Sequence, residues 1–304
     1  MLEPWCQFSL EEMEVPDTAA ELLAATLRSG SLMLLLGAGV SAMMGLPSWA
    51  ELVTRLSAVA GLDSTDLLGR SGGDFLEAVD VIKRSFVGDF QAALAEALYR
   101  DVMPRQGTDE AVYLERLLSG SSLMAIGALC MGSQRGSVSE VINLNFDDIL
   151  ETYLTIHGFV ARVVTDLPSI AEVAADVTVY HIHGYLPSDP GQRGTSLVLS
   201  ADEYETRLAE DVSSPWNAFL LERLHSRVFL SVGTSMRDID MRVALKRAAK
   251  EVGDTRPLGF VLGMHDEDDV ARLRSRHLVP VSLGSWSEVT PFLLRICRYA
   301  AVPF

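Results

Sequence analysis

The stretch SLMLLLGAGVSAMMGLPSW, residues 31–49, decides the fold of this chain. Its apolar run LMLLL is typical of a buried strand, and Gly37, Ala38 and Gly39 follow with no side chain larger than a methyl group. Backbone amides between Gly37 and Ser41 can therefore approach a phosphate closely. The spacing G-x-G-x-x-A also matches the fingerprint of dinucleotide-binding loops. A glycine turn that only ends a strand has the same letters, so other parts of the chain must decide between the two.

Composition excludes several classes of protein. With 304 residues, 48% of them hydrophobic, the chain can bury a large core. The net charge of -16 argues against a nucleic-acid-binding protein, because phosphate contacts require clustered Lys and Arg. Cys6, Cys130 and Cys297 are scattered singly, which excludes a CxxC zinc pair and a disulfide framework and suits the cytoplasm.

Two features bear on targeting. The first residues, MLEPWCQFSLEEMEVPD, are acidic where a signal peptide is basic, so we expect the protein to stay in the cytoplasm. No charged residue lies between Arg28 and Glu51, a span long enough to cross a bilayer. Gly37, Gly39 and Pro47 interrupt this span, and a broken backbone exposed to lipid is costly, so we expect no membrane segment.

Strands alternate with helices along most of the chain. Strands are predicted at residues 138–143, 159–164, 177–183, 197–199, 227–232, 258–262 and 278–281, after the strand that precedes the glycines. Helices are predicted at residues 17–27, 49–60, 74–85, 89–99, 109–118, 123–131, 148–156, 201–210, 216–224, 239–252, 266–275 and 286–299. The alternation predicts an α/β fold, Rossmann-like, with a mostly parallel sheet and helices on both faces.

Local signals set some of these boundaries and the domain organisation. Asp17 is expected to cap the first helix, and Ser48 with Glu51 forms a capping box before the second. Residues 63–131 begin with a predicted loop and contain only helical patterns, so we interpret them as an α-helical insertion after the first βα unit. The whole chain, residues 1–304, is then a single domain with this insertion as a subdomain.

The insertion has a functional consequence. In a dinucleotide-binding dehydrogenase the chain returns to a second strand about 20 residues after the glycines, and that strand ends in an acid for the ribose. Here the next predicted strand begins only at residue 138. A hydride-transferring dehydrogenase is therefore disfavoured.

Polar residues follow several of the predicted strands, at the edge where an open parallel sheet binds ligands. Asn145 and Asp147 follow one strand, His183 ends another, and the segment GTSMRD, residues 233–238, follows a third. Each alone has an ordinary explanation as a helix cap, a core histidine or a turn. Together they predict a shared site.

With these motifs the chain resembles the bacterial SIR2-like domains, relatives of the sirtuins. The resemblance is carried, in order, by GAGVS with GLPSW, then NLNFDD, HIHG, SADEY and VGTSMRDID, which together span roughly residues 32–240. It implies a Rossmann-like NAD site in which Asn145 and His183 break the nicotinamide–ribose bond. The other residues expected to contact NAD are Gly37, Ala38, Gly39, Ser41, Pro47, Trp49, Asp147, Gly233, Thr234, Ser235 and Asp238.

Departures from the sirtuin pattern narrow the activity. Sirtuin deacylases hold zinc with four cysteines, so no zinc is expected here. Their GIPDFR loop reads GLPSWA in this chain, and Leu144 replaces the glutamine before the asparagine. Both changes disfavour lysine deacylation. Family members without zinc resemble NAD hydrolases of antiphage defence, which implies NAD as substrate, cleaved to nicotinamide and ADP-ribose.

Alternatives remain open at this point. A module that binds NAD or ADP-ribose without cleaving it, an ADP-ribosyltransferase and a deacylase all share the motifs. The GTSMR segment lacks the last glycine of a serine-hydrolase elbow, and His181 with His183 lacks a third metal ligand. The resemblance also implies a homo-oligomer that works beside a partner such as a helicase-like ATPase. The apolar helices of residues 74–131 could serve self-association or simply pack in the core.

Overall fold

A computed structural model gives the fold around the stretch that precedes the glycines. It describes residues 4–71, 74–102, 110–131, 135–167, 169, 174–189, 191–192, 194–200, 203, 214–236, 239–253 and 256–301. Seven strands form one sheet in the order β3-β4-β2-β1-β5-β6-β7. They are β1 Leu32–Leu36, β2 Glu140–Asn143, β3 Ala161–Val164, β4 Val177–His181, β5 Val228–Val232, β6 Gly259–Gly263 and β7 Leu278–Ser282.

Every pairing in the sheet is parallel, which confirms the predicted fold class. The central strand β1 is buried on both faces. Leu32, Leu34 and Leu36 pack into the larger apolar cluster, whereas Met33 and Leu35 pack into a second cluster on the opposite face. Alternate residues of a strand point to opposite faces, so the unbroken run LMLLL supplies both cores.

Helices cover both faces of this sheet. Those described are α1 Leu10–Glu14, α2 Pro16–Arg28, α3 Ala38–Met43, α4 Trp49–Val59, α5 Ser64–Arg70, α6 Phe75–Ser85, α7 Phe90–Tyr99, α8 Glu110–Ser119, α9 Ser121–Cys130, α10 Ile149–Ile156, α11 Pro215–Ser226, α12 Ile239–Val252, α13 Glu267–Arg274 and α14 Val289–Ala301. Helices α2, α9 and α14 contribute to the larger cluster, and α11 and α12 contribute to the second.

Strand order places a ligand crevice beside β1. The chain runs from β1 to β2 on one side of the sheet and later crosses to β5 on the other side. The loops after β1 therefore diverge from those of its neighbours at the carboxyl edge, where α/β sheets of this kind bind ligands.

Several predicted boundaries hold and others are wrong. The capping box of Ser48 and Glu51 is present at the start of α4. Asp17 does not cap α2, since Pro16 opens this helix at a position where its missing N–H costs nothing. The loop expected after Asp63 is wrong because the Asp63 carboxylate accepts the amides of Thr65 and Asp66 and starts α5.

Three further expectations differ from the structure. Residues 197–199 are buried without forming a strand. The helix predicted at residues 286–299 is divided into a 3₁₀ turn, Trp286–Glu288, and α14. The glycine loop is shorter than expected, because helix α3 begins at Ala38. The predicted helix at residues 201–210 lies outside the described residues, except for Glu203.

The helices between β1 and β2 fill the segment interpreted as an insertion. In α9, Leu123, Ile126 and Leu129 are completely buried in the larger cluster, so these apolar side chains belong to the core and not to a free surface. The division into one domain with a helical subdomain remains a prediction. Within the described part of the chain, no helix is long and apolar enough to cross a membrane.

Candidate functional site

The glycine loop after β1 packs directly against the loop after β5. A Cβ atom added to Gly39 would lie 2.8 Å from the Cα atom of Gly233, and one added to Gly37 would lie 2.6 Å from the Cγ2 atom of Thr234. Gly233 itself has a φ of 71°, which favours glycine. Close packing between two backbones thus requires all three glycines.

Some backbone amides that the sequence predicts as phosphate donors already form hydrogen bonds in this contact. The amide of Gly37 donates to the carbonyl of Val232 at 3.0 Å, and the amide of Gly39 donates to the carbonyl of Gly233 at 2.9 Å. Two members of the predicted phosphate cradle are therefore already paired within the fold. Part of the glycine pattern therefore serves packing. This agrees with the simpler interpretation, in which the glycines form a turn that ends the strand.

Three polar side chains meet where α3 packs beside the loop after β2. The side-chain amide of Asn145 donates to the hydroxyl of Ser41 at 2.9 Å, and this hydroxyl donates to the carboxylate of Asp147 at 2.6 Å. All three residues are buried. Parallel pairing of β1 with β2 brings the two loops together, because Leu36 lies opposite Asn143 in the register.

Burial changes the acidity of Asp147. Desolvation raises the pKa of its carboxyl group to about 6, although the hydrogen bond from Ser41 acts in the opposite direction. Glu151 and Asp148, both carboxylates nearby, raise the pKa further. The site thus holds an acid that changes charge close to neutral pH.

The neighbouring acid, Asp148, has a structural role. Its carboxylate accepts the amide of Ser188 at 2.8 Å and the Ser188 hydroxyl at 2.7 Å, and its own amide donates to the Tyr99 hydroxyl at 3.2 Å. The Tyr99 hydroxyl in turn donates to the carbonyl of Leu186 at 2.7 Å. Asp148 thereby ties the loop after β2 to helix α7 and to the loop after β4.

His183 lies beside the same loop. Its ring Nδ1 is 3.1 Å from the carbonyl oxygen of Leu144, the residue before Asn145. A carbonyl oxygen can only accept, so Nδ1 carries a proton and donates to Leu144. The structure therefore brings His183 to the same strand edge as Asn145.

His181 and Glu151 form a buried ion pair that the sequence analysis missed. Nε2 of His181 lies 2.6 Å from Oε1 of Glu151, and Nδ1 lies 2.8 Å from the backbone carbonyl oxygen of Asn145. Burial alone would lower the pKa of His181, but Glu151 and the carbonyl of Asn145 raise it above the ordinary value. A signal existed: Glu151 lies on the buried face of a predicted helix, where a carboxylate requires a partner.

Two cavities adjoin the segment that follows β1. The first, of about 50 Å³, is lined by Ala38, Ser41, Leu46, Pro47, Trp49, Leu52, Leu98, Leu144, Asn145, Phe146 and Asp147. The second, of about 300 Å³, is lined by Gly39, Gly233, Thr234, Ser235, Val261, Gly263, Met264, His265, Asp269, Arg272, Leu273 and Trp286. Both open at the carboxyl edge of the sheet.

The cavities divide the predicted site residues into two groups. Ala38, Ser41, Pro47, Trp49, Asn145 and Asp147 line the first cavity. Gly39, Gly233, Thr234 and Ser235 line the second. Gly37 and His183 are not in the linings of these two cavities, although both contact residues of the loops that form them. Asp238 lies outside the described residues.

Comparison with known proteins bears on the same region. Residues 139–280 match the family model of the SIR2-like domain. The match covers just under half of the chain; it includes β2 to β6 and the first three residues of β7, and with them Asn145, His183 and Ser235. The glycine loop after β1 precedes the matched residues.

Other comparisons add less. A solved structure described as "Structural Basis for the Mechanism and Regulation of Sir2 Enzymes" is 14% identical to this chain, with a TM-score of 0.46. The alignment covers 94% of this chain and 96% of that one. No curated protein matches the chain. Among the residues that the structure describes, no group of three or more His, Cys, Asp or Glu side chains could hold a metal ion.

Proposed function

We propose that this protein is an NAD hydrolase that cleaves the bond between nicotinamide and ribose. The observation that carries the proposal is the hydrogen-bonded set Asn145, Ser41 and Asp147 in a cavity at the carboxyl ends of β1 and β2. The match of residues 139–280 to the SIR2-like domain supports NAD as the ligand, because Sir2-like proteins use NAD.

We assign the two ends of an extended dinucleotide to the two cavities. The nicotinamide riboside would occupy the cavity beside Asn145, and the adenosine would occupy the cavity beside Ser235 and Arg272. The pyrophosphate would then cross the contact between the glycine loop and the β5 loop. Since the first cavity holds only a few waters, its wall at Pro47 and Trp49 must shift to admit a pyridine ring.

The reaction requires little from the protein beyond positioning. Water attacks C1′ of the ribose while the C1′–N bond breaks, and the bonding electrons return to the pyridine ring, so that neutral nicotinamide leaves. The side-chain oxygen of Asn145 would orient the water or a ribose hydroxyl. Nε2 of His183 would accept the proton that the water loses, because Nδ1 already donates to Leu144.

Purified protein incubated with NAD tests the proposal directly, with nicotinamide and ADP-ribose measured by chromatography. Asn145→Ala and His183→Ala should each lower the rate about 100-fold or more, the range expected for lost general acid–base and positioning groups. His157→Ala is the matched control, because His157 lies exposed at the end of α10, where Nδ1 contacts the carbonyl of Tyr153. An Asn145→Ala variant with the wild-type rate would contradict the site.

The alternatives give different results in the same samples. Tight NAD binding by calorimetry without release of nicotinamide would indicate a binding module. Radiolabel from NAD that stays on protein would indicate ADP-ribosyl transfer. Release of nicotinamide only in the presence of an acylated lysine peptide would indicate deacylation.

We further propose that the hydrolase depletes NAD as an effector of antiphage defence, as a homo-oligomer beside a partner such as a helicase-like ATPase. This part rests on the resemblance of the motifs alone. Cells that express the wild-type protein, but not Asn145→Ala, should lose NAD after phage infection. Light scattering of the purified chain measures the oligomer directly.

A further inference from the structure

The ring of His181 is held between two acceptors. Nδ1 lies 2.8 Å from the backbone carbonyl oxygen of Asn145, and Nε2 lies 2.6 Å from Oε1 of Glu151. A backbone carbonyl and an ionised carboxylate accept only, so beside ionised Glu151 both ring nitrogens carry a proton and the ring is an imidazolium. His181 is completely inaccessible to solvent and Glu151 is buried, so this charged pair has no access to bulk water.

Parallel pairing explains how the three residues meet. His181 ends β4 and lies opposite Asn143 in the register with β2. Its side chain therefore reaches the loop that follows β2, and α10, which begins after this loop, presents Glu151 from its first turn. The pair links the strand, the loop and the helix at the residue on which the proposed reaction depends.

We propose that His181 and Glu151 are positioning residues for Asn145 in NAD cleavage, which rests on the proposed function of the site. The imidazolium fixes the backbone carbonyl of Asn145, and the fixed backbone directs the side-chain amide of Asn145 to the Ser41 hydroxyl. His181 does not contact the substrate in this arrangement. Its effect on the reaction passes through Asn145.

Charge on His181 depends on the groups that surround it. Glu151 of α10 pairs with it, Asp147 of the loop after β2 interacts with it electrostatically, and the ring of Tyr185, after β4, lies edge-on with centroids 4.9 Å apart. Loss of one ring proton would leave a lone pair facing either the carbonyl of Asn145 or the carboxylate of Glu151. The hold on Asn145 should therefore weaken when His181 becomes neutral.

Three substitutions separate the two hydrogen bonds. His181→Leu removes both. His181→Asn keeps a side-chain donor near the position of Nδ1 and loses the partner of Glu151. Glu151→Gln keeps both contacts with a neutral ring, because the glutamine amide can donate to Nε2 while Nδ1 still donates to Asn145.

Turnover of NAD gives the first readout. We expect His181→Leu to lower kcat roughly tenfold or more with KM within about threefold, His181→Asn to restore part of this loss, and Glu151→Gln to stay within about threefold of wild type at pH 7. His225→Asn is the control, since His225 and Glu251 form a His–Glu pair at 3.2 Å that is partly exposed and lies on α11 and α12. It should leave kcat unchanged.

The pH dependence of kcat distinguishes a positioning role from a purely structural one, because a purely structural role would leave this dependence unchanged. In the wild type, kcat should fall as pH rises through the pKa of His181, which lies above the ordinary value. In Glu151→Gln this fall should be absent at the same pH, because the ring already works in its neutral form.

Nuclear magnetic resonance tests the pair without any turnover. The side-chain amide signal of Asn145, assigned by its absence in Asn145→Ala, should shift with pH together with the ring nitrogens of His181. In Glu151→Gln the same shift should occur at lower pH. If the wild type does not cleave NAD but this shift is observed, the proposed function fails and the positioning pair stands.

The proposal is overturned if the Asn145 amide does not respond to ionisation of His181, or if His181→Leu has the wild-type kcat and pH profile. The melting curve of His181→Leu shows whether this variant folds. If it does not fold, the pH profile of Glu151→Gln and the resonance titration test the proposal instead.

Discussion

The hydroxyl of Ser41 donates a hydrogen bond of 2.6 Å to the carboxylate of Asp147, which lies 106 positions further along the chain. This bond joins helix α3 to the loop after β2 at the wall of the first cavity. The same hydroxyl accepts from Asn145 at 2.9 Å. The hydroxyl of Ser41 therefore links α3 to the Asn145 and Asp147 side chains of the loop after β2.

Replacing Ser41 with alanine should impair both folding and activity. The change removes a donor from a buried carboxylate and an acceptor from the Asn145 amide, which typically costs about 1–3 kcal/mol. NAD cleavage should fall about tenfold or more because Asn145 loses its anchor. Urea unfolding and nicotinamide release measure the two effects.

Ser57→Ala provides the control for Ser41→Ala. Ser57 is equally buried, but its hydroxyl donates within its own helix to the carbonyl of Thr54. This variant should keep the wild-type rate of NAD cleavage. Equal losses of activity in the two variants would argue that the effect of Ser41→Ala comes from general destabilisation.

Replacing Asp147 with asparagine should stabilise the protein at neutral pH. The pKa of Asp147 is raised from 3.8 to about 6, so between these values the folded state keeps a proton that the unfolded state has lost. Stability attributable to this group consequently falls as pH rises through this window and stays low above pH 6. At about 1.4 kcal/mol per pKa unit, the charged carboxylate costs on the order of 3 kcal/mol.

The comparison of wild type and Asp147→Asn at two pH values checks this sign. The variant should melt at a higher temperature at pH 7.5, and the two proteins should melt at similar temperatures at pH 4. A variant that is less stable than wild type at pH 7.5 would show that the hydrogen bonds of the carboxylate outweigh its burial. Whichever protein is more stable, NAD cleavage by Asp147→Asn is expected to be slower than by wild type, since the charged carboxylate of Asp147 lines the first cavity.

Gly39→Ala should destabilise the fold because its methyl group has no space. The added Cβ would lie 2.8 Å from the Cα atom and 3.0 Å from the carbonyl oxygen of Gly233, both of which are backbone atoms. Overpacking of this kind costs about 1–3 kcal/mol. Gly69→Ala is the opposite case: Gly69 lies in α5 with nothing within 4 Å of an added Cβ.

Measured by urea unfolding, Gly69→Ala should therefore gain up to about 1 kcal/mol, the usual preference of a helix for alanine. A neutral result for Gly39→Ala would mean that the two loops are held less tightly than the structure indicates.

Arg272→Ala should separate binding from chemistry. Arg272 lines the second cavity, where its guanidinium donates to the carbonyl of Ser235 and pairs with Asp269. If adenosine and phosphate bind here, loss of this cation should raise KM for NAD about tenfold and leave kcat nearly unchanged, as expected for binding that is equal in the ground and transition states.

Arg274→Ala on the same helix is the control, since Arg274 pairs with Glu14 away from this cavity. Its KM should equal that of the wild type. A fall in kcat for Arg272→Ala, with KM unchanged, would place the reacting end of NAD in the second cavity instead of the first.

Much of this architecture could be predicted from local patterns. The apolar run before the glycines and the capping box of Ser48 with Glu51 are local signals, and the structure contains both elements. Predicted boundaries differ from the structure where a second local signal competes with the first. Asp63 is an example, because its carboxylate starts a helix inside an expected loop. The fold class was accessible because hydrophobic periodicity is a property of the sequence itself.

The sequence by itself determined the class of sheet, most of the helices and strands, and the set of polar residues that follow the strands. Only the tertiary structure decided which of them touch. It paired the amides of Gly37 and Gly39 with the end of β5 and the loop that follows, and it placed His181 between Glu151 and Asn145. These contacts join segments far apart in the chain, and their geometry depends on strand order and register, which no local pattern specifies.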